Sequence, residues 1–179
     1  DRADPSVRLR SHVMRVLCAL LPKRRTAAVF TWPAFDDTAR ALLPALAQCR
    51  LNRIYYLVSS DVVAAAPPDW GPRVKVLPKK SLRGAWVFLT SRYVFTTHQC
   101  YFSRFPRNVV SVNVWHGMPI KRIGWMTGRK VNLPHFQFDL ATSEFWRPIV
   151  MTCMRPWDRV LVNGLPRCDR LSARPSAEV

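Results

Sequence analysis

The chain has 179 residues, enough for a domain with a real core, and 49% of them are hydrophobic, which excludes a disordered segment. Lys and Arg number 28 against 11 Asp and Glu, and the net charge of +17 predicts attraction to polyanions: nucleic acid, anionic lipid, nucleotides or phosphate polymers. No apolar run approaches the roughly 18 residues that a membrane-spanning helix needs, and no segment reads as a signal peptide.

In chain order, the first element is a short basic amphipathic helix. Val13, Val16, Leu17, Leu20 and Leu21 recur at helical spacing, flanked by Arg8, Arg10, Arg15, Lys23, Arg24 and Arg25. Two readings stay open for it: a helix packed on the domain with a solvated basic edge, or a contact with an anionic membrane surface. "TAAVFTW" then reads as a buried strand followed by a loop at Pro33. Asp36 or Asp37 caps a helix that runs to about Cys49, with Ala39, Leu42, Leu43 and Leu46 on one face. "RIYYLVSS" is the next strand, and a loop with Pro67, Pro68 and Pro72 leads to the short strand "RVKVLP". Ser81 caps a helix through Leu89. "YVFTTH" and "NVVSVNVW" are strands, the latter ending at Trp115. "FDLATS" follows, then a helix from about Glu144 to Met154, then the strand "RVLVNG".

About six strands, several of them continuously apolar, alternate with helices. That pattern predicts a Rossmann-like α/β domain with a parallel sheet covered on both faces. The organisation read from it is a basic helix over 1–25, the domain over 26–171 and a linker or ragged end over 172–179. Ligands of such sheets bind at the carboxyl ends of the strands, where His98, His116, Ser143 and Gly164 fall. Most Trp and Phe residues sit at strand and helix spacings and read as core.

Several chemistries are excluded or unsupported. There is no GxGxxG, Walker loop, HExxH or GxSxG, and with 6 glycines no loose dinucleotide match rescues one. The five cysteines include no CxxC pair, and His98 with Cys100 lacks a second pair to complete a metal site, so no metal is expected. The stretch "SVNVWHGMPIKRIG" is different. A strand ending at Trp115 puts His116 at the sheet edge, Gly117 lets the chain turn closely, and Pro119 suits the first turn of a helix. Such a helix end, with Lys121 and Arg122, would hold an anion beside an imidazole able to act as a base, which describes a phosphoryl-transfer site. A structural histidine on a turn is the other reading.

"NVWHGMPIKRIG" resembles the Trp-His-Gly-x-Pro-x-Lys-x-x-Gly motif of the CDP-glycerol glycerophosphotransferase family, the teichoic acid primases and polymerases. "FDLATSEFWRPIV" and "VNGLPRCDRL" resemble two later family segments, in the family's order, and the likeness runs from about Thr26 to Leu171. It implies the N-terminal, acceptor-side half of a two-domain GT-B fold, with a donor-nucleotide domain that this sequence lacks. It also implies transfer of glycerol phosphate, or ribitol phosphate, from a CDP-linked donor to a hydroxyl of a lipid-linked polymer. CMP leaves, no cofactor is needed, and the protein is peripheral to the inner, cytoplasmic face of the membrane. By the resemblance His116 is the candidate base, and Gly117, Lys121, Arg122, Ser143 and Arg167 are candidates for substrate or phosphate binding. Arg167 and Asp169 are otherwise expected to pair locally or shape the domain junction.

Two other classes compete. A nucleic-acid-binding module is favoured only by net charge and lacks any RRM, KH or helix-turn-helix pattern. A non-catalytic membrane- or polyanion-binding domain is the other, and the missing half makes it plausible.

Overall fold

The computed structural model describes residues 5–32, 34–65, 70–98, 100–102, 104–128 and 134–169. The elements in order are α1 (Pro5–Leu20), β1 (Arg24–Phe30), α2 (Asp37–Ala41), α3 (Leu43–Gln48), β2 (Arg53–Val58) and β3 (Val74–Pro78). They continue with α4 (Leu82–Thr90), β4 (Ser91–Thr96), β5 (Val110–Asn113), β6 (Phe138–Ala141), α5 (Arg147–Met154) and β7 (Arg159–Val162). One 7-stranded sheet runs in the order β3-β2-β1-β4-β5-β6-β7, and every pairing is parallel.

Strand β1 shows why the sheet needs cover on both faces. Its side chains alternate: Ala28 and Phe30 enter a cluster with Phe88, Val94 and Phe105, while Ala27 and Val29 enter one with Leu43, Leu46 and Tyr56. α1 and α4 close the first face through Cys18, Val87 and Phe88, and α2 and α3 close the second. The caps follow the sequence. The Asp36 carboxylate accepts from Ala39 N at 3.0 Å, and the Ser81 hydroxyl accepts from Gly84 N at 3.0 Å. At Gly84 an added Cβ would lie 2.2 Å from the Pro78 carbonyl oxygen, so only glycine lets α4 sit this close to the end of β3.

The structure corrects several boundaries. Seven strands are present among the described residues, against the expected count of about six. The helix expected to run to Cys49 breaks at Leu42, because Pro44 follows at the start of α3 and leaves no amide hydrogen for a continuing ladder. The helix expected from Glu144 begins at Arg147, with Pro148 in its first turn and Glu144 paired to Arg147 at 2.6 Å. The strand expected to reach Trp115 ends at Asn113. Helices do not cover every crossover either. Among the described residues between β4 and β5 no helix forms, and buried Phe102 and Phe105 pack onto Phe88 and Phe136. Most Trp and Phe residues are expected in the core, yet Trp32, Trp86 and Trp157 are exposed. The linker read over 172–179, the loop residues Pro33, Pro67 and Pro68, and the first four residues lie outside the described residues.

Candidate active site

The strand order reverses between β1 and β4, and there the chain leaves the two strands in opposite directions and opens a crevice. The two departing loops are tied together: Trp32 N donates to Thr97 Oγ1 and Thr97 Oγ1 donates to Trp32 O, both at 3.4 Å. Thr96 Oγ1 accepts from His98 N at 3.2 Å and donates to His98 O at 2.7 Å, a local turn that fixes His98 just past the strand.

The next strand delivers His116. Asn113 is buried, and its Oδ1 accepts from Trp115 N at 3.1 Å. This side-chain turn stops β5 two residues earlier than expected and carries Trp115 into the left-handed region at φ 45°. A non-glycine residue there costs on the order of 1–2 kcal/mol, a local strain held by the surrounding packing. The turn stacks the His116 ring on Trp115 at 4.2 Å and, nearly parallel at 10°, on His98 at 4.4 Å. Trp32 meets His98 edge-on at 5.1 Å and completes a run of four rings.

Acidic and basic groups from elsewhere reach this turn. Asp36 is buried at the cap of α2. Burial raises its pKa, and the nearby His116 opposes that rise. Arg167, from the short turn Pro166–Cys168, lies against Gly117: a Cβ there would stand 3.8 Å from its Nη2. Its Nη1 pairs with Asp37 at 3.7 Å, across the sheet's edge and not with Asp169 as expected. Lys121 and Arg122 are exposed, and Arg122 Nε donates to Met126 O at 3.1 Å within its own loop. No helix begins at Pro119. Ile123 is extended, Gly124 and Gly128 bracket a single short turn at positive φ, and Met118, Ile123 and Met126 pack onto the α5 cluster. The expected helix-end anion site is therefore not formed. Ser143 is exposed after β6, with its carbonyl accepting from Trp146 N at 3.1 Å.

A cavity of about 390 Å³ adjoins the ring stack, walled by Phe30, Trp32, His98, Trp115, Phe136 and Met154, with Lys79 and Asn113 as further polar members. Burial, then His116 and Lys79, push the His98 pKa down to about 4, so this imidazole is neutral at neutral pH. Lys79 and Trp32 were not singled out from the sequence. The rule that selected His98 would have found both, since each directly follows or nearly follows a strand's carboxyl end.

Comparison with known proteins decides the family. A sequence model of the CDP-glycerol:poly(glycerophosphate) glycerophosphotransferases matches residues 13–179. The chain belongs to this glycerophosphotransferase family. No curated protein sequence matches it. Among solved structures it is similar to the wall teichoic acid polymerase TagF. A histidine-to-asparagine variant aligns with TM-score 0.69 and 15% identity over 96% of this chain and 47% of that one. The same variant soaked with CDPG aligns with TM-score 0.66 and 15% identity over 97% and 49%. At that identity the likeness is one of fold, and the chain spans about half the length of the TagF chains it matches.

Beneath the His116 turn, Asn113 also donates through Nδ2 to the buried Asp139 carboxylate on β6, at 2.6 Å. Burial pushes the Asp139 pKa up to about 7, against the favourable hydrogen bond from Asn113. The folded state therefore keeps this proton to higher pH than the unfolded chain does. Stability from this group is fully present below about pH 4 and is lost as pH rises through about 7. Asp139→Asn should accordingly gain stability relative to the parent between pH 5 and pH 8, by on the order of 1–3 kcal/mol. Urea midpoints of both proteins at the two pH values check this, and a constant difference would mean that the carboxylate is already ionised at pH 5.

Proposed function

We propose that this chain is the acceptor-side half of an enzyme that transfers glycerol phosphate, or a related polyol phosphate, from CDP-glycerol or CDP-ribitol to a hydroxyl of a teichoic-acid-like or capsular polymer. The observation that carries the reading is the placement of His116: on a turn at the sheet's carboxyl edge, stacked on a wall residue of the cavity at the switch point, with Arg167 against the adjoining Gly117. His116 takes the proton of the acceptor hydroxyl. That oxygen bonds to the donor phosphorus nearest the polyol, the bond from phosphorus to the CMP oxygen breaks, and CMP leaves. Arg167 at Gly117, with Lys121 and Arg122 on the adjoining loop, supplies positive charge to the phosphates, and Ser143 borders the same edge. Positioning and charge neutralisation provide most of the acceleration. The CDP-linked donor carries its own leaving group, so the reading invokes no cofactor.

The polymer acceptor is lipid-linked in this reading, and the chain works at the inner face of the cell membrane. α1 supports that placement. Its Cys18 is buried in the core, yet Leu9 and Leu20 are 66% and 77% exposed among Arg8, Arg10 and Arg15. No helix among the described residues is long and apolar enough to cross a membrane, so contact would be with the surface.

The test fuses this chain to a donor-binding half and follows CMP release. The fusion should turn over an acceptor carried in anionic vesicles, and the 179-residue chain alone should not. Leu9→Asp with Leu20→Asp should slow the vesicle-borne reaction severalfold, more so as salt rises, and leave a soluble acceptor unaffected. Steady CMP release by the chain alone would overturn the half-enzyme reading, and equal effects on both acceptors would overturn the membrane contact.

A further inference from the structure

Lys79 is a half-buried cation in an otherwise neutral, largely aromatic wall. Its Nζ lies 5.4 Å from the Phe30 ring centroid and 3.4 Å from Thr31 O, and none of the ion pairs among the described residues involves it. An ammonium has three donors, Thr31 O takes one, and the side chain lines the cavity. The wall of that cavity also includes His98, whose ring stacks on His116. Trp32 and Trp115 are further wall residues, and indole surfaces suit C–H groups. Asn113, the remaining polar wall residue, is already committed to Asp139 and Trp115 N, which leaves little to read the edge of a nucleobase.

We propose that this cavity seats a small phosphorylated polyol, with its phosphate on Lys79, its carbon chain along Trp32 and Trp115, and its free hydroxyl end directed to His116. The inference rests on the acceptor-half reading and deepens it: Lys79 is the anchor that sets which hydroxyl of the acceptor reaches the base. The volume of about 390 Å³ lies within the range of small-molecule sites and exceeds what such a unit needs. The lowered pKa of Lys79, caused first by burial and then by Lys80 against the weaker pull of Asp61, fits a cation that gains when an anion arrives. His98 faces both Lys79 and His116, so a bound phosphate should ease its protonation.

The experiment uses the 179-residue chain and NMR signals of the Trp32 and Trp115 indoles and the His98 imidazole. The probes are glycerol 3-phosphate, glycerol, inorganic phosphate and CMP. Glycerol 3-phosphate should bind more tightly than the other three and raise the His98 pKa. Lys79→Met should weaken it about 10-fold or more, with Lys79→Arg recovering most of the loss. Lys75→Met removes the same charge from β3, just ahead of Lys79, and should change affinity less than about 2-fold, because Lys75 does not line the cavity and a solvent-screened charge contributes little. Equal losses at Lys75 and Lys79 would show general attraction to a basic protein and overturn the proposal, as would tighter binding of CMP. If Lys79→Met fails to fold, Trp32→Ala carries the test, since Trp32 is 61% exposed; unchanged affinity then overturns the proposal. The two readings fail separately. In the fusion, an unchanged KM for acceptor in Lys79→Met and Trp32→Ala with His116→Ala inactive would sink only the Lys79 seat. Full activity of His116→Ala would sink the catalytic reading and leave the binding measurement standing.

Discussion

His116→Ala in the fused enzyme is expected to lower turnover roughly 10²-fold or more while the fold stays intact. The expectation has two parts. The ring is exposed on a turn and belongs to no buried cluster, so its removal opens no cavity in the core. Its stacking on His98 and Trp115 holds the imidazole in one orientation at the crevice, which is what a base needs and what a solvated histidine lacks. Turnover and KM measured together with circular dichroism check it. Near-normal turnover would remove His116 from the mechanism, and loss of folding would return it to a structural role.

Phe88→Ala is expected to be the most damaging change in the core, costing about 3–5 kcal/mol. Phe88 is fully buried and meets Phe30, Tyr101, Phe102 and Phe105, with ring centroids between 4.8 and 6.2 Å. A domain of this size has on the order of 5–15 kcal/mol in total, so the loss takes a large share. Phe30 also walls the cavity, and Tyr101 donates to the Lys79 carbonyl, so the deletion reaches the site from behind. Urea denaturation measures the cost. A value below about 1 kcal/mol would mean that the surrounding rings close over the gap.

Much of this was legible because strand-ending rules are local. Continuous apolar runs gave the parallel sheet, and the caps at Asp36 and Ser81 stand where expected. His98 and His116 were placed at the correct edge by counting past strand ends. Their stacking was not legible, because it depends on β4 and β5 being neighbours and on Asn113 diverting the backbone. Arg167 reaching Gly117 was hidden for a similar reason: the partner that holds it, Asp37, is far away in sequence. The helix expected at Pro119 failed because Gly124 and the burial of Met118, Ile123 and Met126 outweigh one favourable proline.

The crossover between β4 and β5, with no helix among its described residues, gives the site an unusual kind of stiffness. A helix would hold its shape through its own ladder of amide bonds and would keep it if a side chain were trimmed. Here the shape of the segment is borrowed from Phe102 and Phe105 wedged among other rings. The loop carrying His98 and the wall formed by Phe136 therefore share one set of contacts. Geometry at the base and geometry of the seat should drift together under any change that loosens those rings, and substitutions that preserve ring volume should leave both unmoved.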